Sequence, residues 1–227
     1  MRWMLFAAIL LLAGCADDPS LLEEAEAAEA RTVEAMGPDG SLARLATTMD
    51  MTLVMDGETM RMDGVFDILL HDGDAFTLEM AMDLDSETLE GTLTCTPTAL
   101  IIEVAGQVEE LENPGGTCLD ADSADAMSFL SAFEGEDLGL SGLDMIPQTP
   151  AYTSVERQGS ALVASFDQVT SIQGIQMTIE GTATILSGLV QSSTMALSGA
   201  FSQGGFDMSM DLSMDTVYHY GERTPLP

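Results

Sequence analysis

The sequence predicts a mainly β protein of antiparallel strands with an N-terminal helix and one helical insert. Residues 49–84 alternate apolar and polar side chains almost without interruption, and side chains on a strand point to opposite faces with period two. Asp56–Gly57 and residues 71–74 provide the turn residues that tight hairpins require. The same alternation returns over residues 206–220. These features together predict a sheet with one apolar face and one acidic face.

The first residues have the order of an export signal. Met1 and Arg2 precede an apolar run, Trp3–Leu12, which at about ten residues is too short to span a bilayer. The stretch Leu12-Ala13-Gly14-Cys15 resembles the lipobox of bacterial lipoproteins. That resemblance implies a signal peptide over residues 1–14 and acylation of Cys15. The alternative is a chance Ala-Gly-Cys after an ordinary signal peptide.

An acylated Cys15 would anchor the chain to a membrane, because each buried methylene contributes about 0.8 kcal/mol. The next residue is Ala16 rather than aspartate, and in the enteric sorting rule this favours the outer membrane over the inner membrane. Asp17 and Asp18 follow, and some bacteria read those positions. We therefore expect a lipid-anchored, periplasm-facing protein of the bacterial cell envelope.

The chain is strongly acidic, with a formal net charge of -32 and no lysine. This charge argues against nucleic acid as a partner and against lying on anionic lipid. The simplest interpretation is a solvated acidic face. Calcium binding is the alternative, because Asp83 and Asp85, like Asp120 and Asp122, place carboxylates two residues apart, but neither pair has the EF-hand pattern. We expect no metal site and no cofactor.

Cysteine usage predicts one disulfide. With Cys15 acylated, Cys95 and Cys118 remain, and exported compartments are oxidising. A bond between them would close a loop of a little over twenty residues and stabilise the fold by about 3 kcal/mol. The alternative, a redox-active pair, lacks the C-x-x-C spacing.

Residues 15–40 are predicted to form a lipidated tether followed by the N-terminal helix. Ser20 and Glu23 form a capping box, and the helix should run to Met36, where Gly37–Pro38 ends it. Its partial apolar face would either lean on the following domain or leave the helix as a solvated spacer.

Residues 41–227 are predicted to form a single antiparallel β domain. Five strands should lie between Ala43 and Ala105, followed by an acidic loop over residues 109–122. A helical insert near residues 123–134, capped by Ser123, should come next. Five more strands follow a glycine-rich loop, and in the last of these methionines again occupy one face. The two halves of the sheet should therefore share one interior.

The order of lipobox, helix, meander, central helix and second set of hairpins resembles the LolA/LolB and LppX/LprG-like group of envelope lipid and lipoprotein carriers. The run from Val217 to Pro227 is similar to the aromatic-Gly-x-x-x-Pro close of LppX/LprG-like domains. The resemblance implies a strongly curved antiparallel half-barrel whose concave face holds acyl chains, with the insert near 123–134 covering it. The cavity lining that it implies is Met51, Leu53, Met55, Met60, Met62, Phe66, Ile68, Phe76, Leu78, Met80, Met82, Met127, Leu130, Phe133, Met208, Met210, Leu212 and Met214.

Two functions are compatible with this pattern. Methionine is flexible and common on surfaces that accept varied apolar partners, which favours a lipoprotein that binds lipid or another apolar ligand and carries it, with acyl lipid or lipoprotein as cargo. Methionine also fills irregular gaps in packed cores. The alternative is therefore a structural or interaction lipoprotein with a dry core and an acidic face that meets a protein partner, whose identity the sequence does not indicate.

Catalysis is not predicted. The imidazole bases are His71, in an expected hairpin turn, and His219, near the C-terminus, and both are expected at the surface. The chain contains no G-x-S-x-G elbow, H-E-x-x-H pair or phosphate-binding glycine loop. The prediction is a non-enzymatic protein.

Overall fold

The structure, a computed structural model, describes residues 19–84, 87–113, 118, 151–172, 175–203 and 206–226. The signal peptide and Cys15 lie outside the described residues, and so does the predicted helical insert near 123–134 with Met127, Leu130 and Phe133. These features remain predictions.

The predicted N-terminal helix is confirmed as α1, Pro19–Met36. The amide of Gly37 donates to the carbonyl of Glu34 at 3.1 Å and so closes the last turn. Ala25 and Ala28 are completely buried, so the helix packs on the domain. The alternative of a solvated spacer is therefore wrong.

Eleven strands form one antiparallel sheet in the order β6-β5-β4-β3-β2-β1-β11-β10-β9-β8-β7. The first and last strands, β1 and β11, are neighbours at its centre, and β6 and β7 are its two edges, so the sheet is not closed. The strands are β1 Leu42–Met55, β2 Glu58–His71, β3 Ala75–Leu84, β4 Glu87–Cys95, β5 Ala99–Val104, β6 Gln107–Glu112, β7 Ser154–Gln158, β8 Ala161–Ile172, β9 Ile175–Leu186, β10 Leu189–Gln203 and β11 Phe206–Tyr220.

Glycine-containing turns set the hairpin registers. Asp56 and Gly57 have φ values of 51° and 85°, and this pair of positive angles is the type I′ turn that matches the twist of two flanking strands. Ser187 and Gly188 repeat the pattern between β9 and β10 with 54° and 76°. The hairpin that the sequence predicts at Asp56–Gly57 is confirmed.

One predicted loop is partly a strand. The sequence predicts residues 109–112 to lie in the acidic loop, but they belong to β6. All six residues of β6 are exposed, and three of them are glutamates. Charged side chains protect an edge strand from pairing with other chains. They also give β6 an amino-acid composition that is typical of a loop. The prediction is wrong here because β6 has no buried face. Its sequence therefore lacks the alternation of apolar and polar residues that indicates a strand.

The predicted convergence of the two halves on one apolar face is confirmed. Met49 of β1 lies opposite Met214 of β11, and Met51 lies opposite both Met62 and Leu212. Directly opposite residues point to the same side of a sheet. By this register the inner face of the sheet carries twelve of the thirteen methionines in the described ranges, namely Met49, Met51, Met55, Met60, Met62, Met80, Met82, Met177, Met195, Met208, Met210 and Met214.

Glycines on the inner face allow the sheet to curve. At Gly64 a Cβ atom would lie 3.0 Å from the Phe66 ring and 3.3 Å from the Met49 methyl group. At Gly181 it would lie 2.4 Å from the Phe166 ring and 2.1 Å from the carbonyl oxygen of Thr194. Glycine at such positions permits tight bending and close packing of large neighbours. The large side chains of the concave face fill the space that the missing Cβ atoms leave.

The predicted disulfide between Cys95 and Cys118 is confirmed, with the two Cα atoms 6.0 Å apart. It attaches residue 118 to strand β4, and Cys95 is buried. The Cys118 amide donates to the Asp74 carboxylate at 2.9 Å, and the Asn113 side-chain amide donates to the Thr96 carbonyl at 2.9 Å.

Candidate apolar binding face

Helix α1 covers one end of the inner face, which we call the covered end. Ala25 and Ala28 of the helix pack against strands of the second half, and Ala35 packs against strands of the first half. Because these helix side chains are small, the helix backbone can lie close to the sheet. The larger side chains of the covered end come from the strands. The buried strand residues of the covered end are Leu42, Leu45, Leu70, Phe76, Leu78, Leu93, Cys95, Val155, Leu162, Ala164, Ala183, Ile185 and Val190.

Polar groups inside the covered end are paired. The Thr32 hydroxyl donates to the Ala28 carbonyl at 2.9 Å and accepts the Val190 amide at 3.0 Å. The Tyr220 hydroxyl donates to the Val190 carbonyl. Burial raises the pKa of Tyr218, which packs against both halves of the covered end. These pairs let polar side chains sit among apolar ones without an unmet hydrogen bond.

Three arginines hold α1 on the sheet. Arg223 is 9% exposed and donates to the carbonyls of Leu42 at 2.7 Å, Ala35 at 2.9 Å, Met36 at 3.0 Å and Pro38 at 3.1 Å. The last carbonyls of a helix lack partners within the helix, and a cation there also meets the negative end of its dipole. Arg157 bonds Glu24 of the helix, and Arg31 donates to the carbonyl of Gly188. Three of the six basic residues of the chain thus fix the helix.

His71 is not the surface residue that the sequence predicts. It is 4% exposed, and its Nδ1 donates to the carbonyl of Thr224 at 3.1 Å. Its Nε2 lies 2.9 Å from the Thr77 hydroxyl. The expectation is wrong because the C-terminal segment pairs with His71 and covers it, while His219 is exposed as expected. Both ring nitrogens of His71 have structural partners, so the residue secures the C-terminal segment.

The other end of the inner face, which we call the open end, is formed by strands alone in the described part of the chain. Its side chains are mostly methionine, and Met55 and Met60 are 37% and 40% exposed. The members of the open end are Met49, Met51, Leu53, Met55, Met60, Met62, Met82, Met195, Met208, Met210, Leu212 and Met214, all of them partly exposed.

On one side the open end packs against a small cluster of buried side chains. Met177, Ile179 and Leu197 of β9 and β10 are buried at 7%, 1% and 4% exposure. Met195, Met210, Leu212 and Phe166 pack against them, and no residue of α1 belongs to this cluster. At about 3.3 Å per strand residue, the distance from Met49 to Met55 is about 20 Å. The open end is therefore an apolar surface long enough for an extended acyl chain.

The opposite face of the same strands is acidic. Asp50, Asp63 and Asp83 lie directly opposite one another on β1, β2 and β3. A hydrogen bond with Asp50, followed by desolvation and the charges of Asp50 and Asp83, raises the pKa of Asp63. No group of three metal-ligating carboxylates, histidines or cysteines forms among the described residues.

Two open grooves lie along the second half of the sheet. One of about 420 Å³ runs beside Phe166, Gly181, Met195 and Met214 on β8 to β11. The other, of about 330 Å³, lies at the hairpin ends beside Phe201 and Met208. By the strand register, eight of the twelve residues that line the larger groove and five of the eight that line the smaller one belong to the acidic face. Both grooves therefore lie mainly on the acidic face and not on the Met-rich face.

The residues predicted to line a cavity divide between the two ends. Phe76 and Leu78 are buried in the covered end, where Phe66 and Ile68 pack beside them. The methyl group of Met80 lies 3.0 Å from the Cβ position of Gly91. The predicted residues that belong to the open end are Met51, Leu53, Met55, Met60, Met62, Met82, Met208, Met210, Leu212 and Met214. Ligand lining itself remains a prediction.

Sequence reasoning missed Met195 and the buried cluster around Ile179. The signal for them was the alternation Met195-x-Leu197 in β10, which Gly199 interrupts two residues later. Arg223 was also missed. The signal for it was its charge. The chain has only 6 basic residues against 38 acidic ones, and one of the six is Arg223, in the last strand-free segment of the sequence.

No protein-family profile matches the chain, and no curated protein matches it. Solved structures similar to it include LprF from Mycobacterium bovis, at 10% identity and a TM-score of 0.40 over 93% of this chain and 98% of that one. An outer membrane lipoprotein-sorting protein domain from Vibrio parahaemolyticus is similar at 12% identity and a TM-score of 0.32, covering 89% and 93%. The S-type phycobiliprotein lyase CPES from Guillardia theta is similar at 7% identity and a TM-score of 0.27, covering 88% and 97%.

The first two of these structures are of the group that the sequence resembles. With TM-scores of 0.40 and below, they carry no functional conclusion for this chain. The described helix is not long and apolar enough to cross a membrane.

Proposed function

We propose that this protein is an envelope lipoprotein, anchored through acylated Cys15, that binds lipid or another apolar ligand on its open end and carries it. One observation supports this function most strongly. Methionine and leucine side chains from both halves of the chain meet on one face, and α1 packs on only the other end of that face.

The chemistry of the open end suits an apolar ligand. Apolar contact would remove exposed methionine surface from water, which contributes roughly 25 cal/mol per Å². Flexible thioether side chains adapt to ligands of different shape. The acidic face on the other side of the strands keeps the protein soluble and repels anionic surfaces. A ligand with a neutral or cationic polar group is therefore favoured over an anionic one.

Co-purified lipid provides the first test. Residues 16–227, which contain every described residue, are secreted behind a cleavable signal, and the purified protein is extracted with organic solvent for mass spectrometry. Acyl lipid in stoichiometric amount is the expected result. A ligand-free extract, together with no binding of the neutral apolar dye N-phenylnaphthylamine, would favour the structural or interaction lipoprotein instead.

A pair of matched variants locates the site. Met51→Asp places a charge on the open end, and Val65→Asp places one on the opposite face of the neighbouring strand, where Val65 is 52% exposed. We expect Met51→Asp to weaken dye binding at least tenfold, because an ionised carboxylate is costly to bury against an apolar ligand. Val65→Asp should bind as the wild type does. Equal binding by both variants would place the site elsewhere.

The anchor has its own test. Cys15→Ser in the full-length chain should remove the acyl groups and release the protein from the membrane fraction, which fractionation and intact-mass measurement detect. The wild-type mass should exceed that of the unmodified chain after removal of residues 1–14. Membrane association that survives Cys15→Ser would contradict the proposed anchor without affecting the proposed binding face.

A further inference from the structure

The methionines of the inner face are concentrated where dissolved oxidants can reach them. Eleven of the twelve are partly exposed, and the exception is Met177 at 7%. The covered end, by contrast, is built from Leu, Ile, Val, Ala, Phe and one Cys on the strands, and the methionine that packs there, Met36, comes from the helix. Strand preference does not explain the choice, because β-branched and aromatic residues are the favoured strand formers.

Thioether chemistry distinguishes methionine from leucine, although both are apolar and of similar size. A hydroperoxide transfers one oxygen atom to the sulfur. The O–O bond breaks, an S–O bond forms, the sulfur loses two electrons, and the peroxide is reduced to an alcohol or, from hydrogen peroxide, to water. The sulfoxide is polar and disrupts methionine-rich interfaces, and reductases convert it back to the thioether.

We propose that the open-end methionines form a reversible oxidation site, at which peroxide-type oxidants convert the thioethers to sulfoxides and so release the apolar ligand. This inference rests on the proposed function. The Cys95–Cys118 disulfide is consistent with an oxidising compartment. Exposure sets the order of reaction: Met55 and Met60 react first, the half-buried members follow, and Met177 reacts last.

The covered end provides a built-in safeguard. Its strand residues carry no thioether, and α1 is held by Arg223 and Thr32. Oxidation of the open end therefore changes the polarity of the binding surface while the helix-covered core keeps its packing. A surface that is chemically sensitive at one end and inert at the other can lose its ligand and remain folded.

The test uses residues 16–227 treated with graded hydrogen peroxide. Peptide mass spectrometry gives the sulfoxide fraction at each methionine, and N-phenylnaphthylamine binding is measured on the same samples. We expect Met55 and Met60 to oxidise well before Met177, and the dye dissociation constant to rise about tenfold. Methionine sulfoxide reductases should restore binding. Unchanged far-ultraviolet circular dichroism would show that the sheet remains intact.

A matched variant separates oxidation of this surface from general damage. All ten open-end methionines are replaced by leucine, a volume-conserving change that keeps the surface apolar. The measured quantity is the ratio of the dye dissociation constant after peroxide to the constant before it. This ratio should rise in the wild type and stay close to one in the variant, whatever the variant's affinity before treatment. Equal loss of affinity in the variant would overturn the proposal, as would sulfoxides at the open end with unchanged dye binding, or Met177 reacting as fast as Met60. Failure of the untreated wild type to bind dye would instead overturn the proposed function.

Discussion

The covered end and the open end of the inner face are formed by the same strands, but different elements pack on them. At the covered end α1 packs on leucine, valine and alanine side chains, and Leu42 and Leu78 are 0% and 1% exposed. At the open end the same strands carry methionines that stay partly exposed. One continuous register thus supplies both a buried core and a partly exposed apolar surface. We infer that stability resides mainly at the first end and ligand contact at the second.

Leucine truncation should separate the two ends most strongly. Leu78→Ala removes a fully buried side chain from the covered end and should cost about 2 to 5 kcal/mol of unfolding free energy. Leu53→Ala, at a partly exposed position of the open end, should cost about 1 kcal/mol or less, because less apolar surface leaves the core. Urea denaturation of both variants gives the two values. Similar losses would mean that the open end is also a packed core.

The disulfide should contribute the next largest effect, and it belongs to the covered end. Cys95 packs in the same cluster as Leu78 and Leu93. Replacing both cysteines by serine should lower the unfolding free energy by about 3 kcal/mol, through greater freedom of the unfolded chain. Guanidinium denaturation of this variant and of the reduced wild type should agree. A loss well under 1 kcal/mol would show that the bond does not secure this end.

Arg223 offers a smaller and more local test. Arg223→Met leaves the carbonyls at the end of α1 and of Leu42 without their donor, and we expect a loss of about 1 to 3 kcal/mol. Amide hydrogen exchange should rise in α1 before it rises in the strands of the open end. The control is Arg44→Met, which removes an exposed ion pair with Asp67 and should cost only about 0.2 to 1 kcal/mol. Equal effects of the two substitutions would contradict the role of Arg223 as a helix clamp.

Alkaline titration reports on the covered end alone, and it leaves stability at neutral pH unchanged. The chain has three tyrosines, and burial raises the pKa of each, namely Tyr152, Tyr218 and Tyr220. An acid with a raised folded pKa binds its proton more tightly in the native state, so stability falls as the pH rises above the ordinary value near 10. Tyrosinate absorbance should therefore appear only as the protein unfolds. Three tyrosines that ionise near pH 10 in the native fold would contradict their burial.

The sheet and its apolar face could be predicted because they depend on local patterns. Alternation in β1, β2, β3 and β11 predicted the strands, and Asp56–Gly57 predicted a turn that the structure contains. The division into covered and open ends could not be predicted, because it depends on where α1 lies. Phe76 and Met51 have equivalent sequence signals but different neighbours. The burial of His71 likewise depends on a contact with Thr224, which is 153 residues away.

Labelling with a neutral photoreactive probe tests the central claim most directly. A diazirine-bearing long-chain alcohol is bound to residues 16–227, activated by light, and located by peptide mass spectrometry. We predict labels on open-end residues such as Met51, Leu53 and Met210, and their loss in Met51→Asp but not in Val65→Asp. Labels on the opposite face of the sheet, or a pattern that Met51→Asp leaves unchanged, would contradict the account.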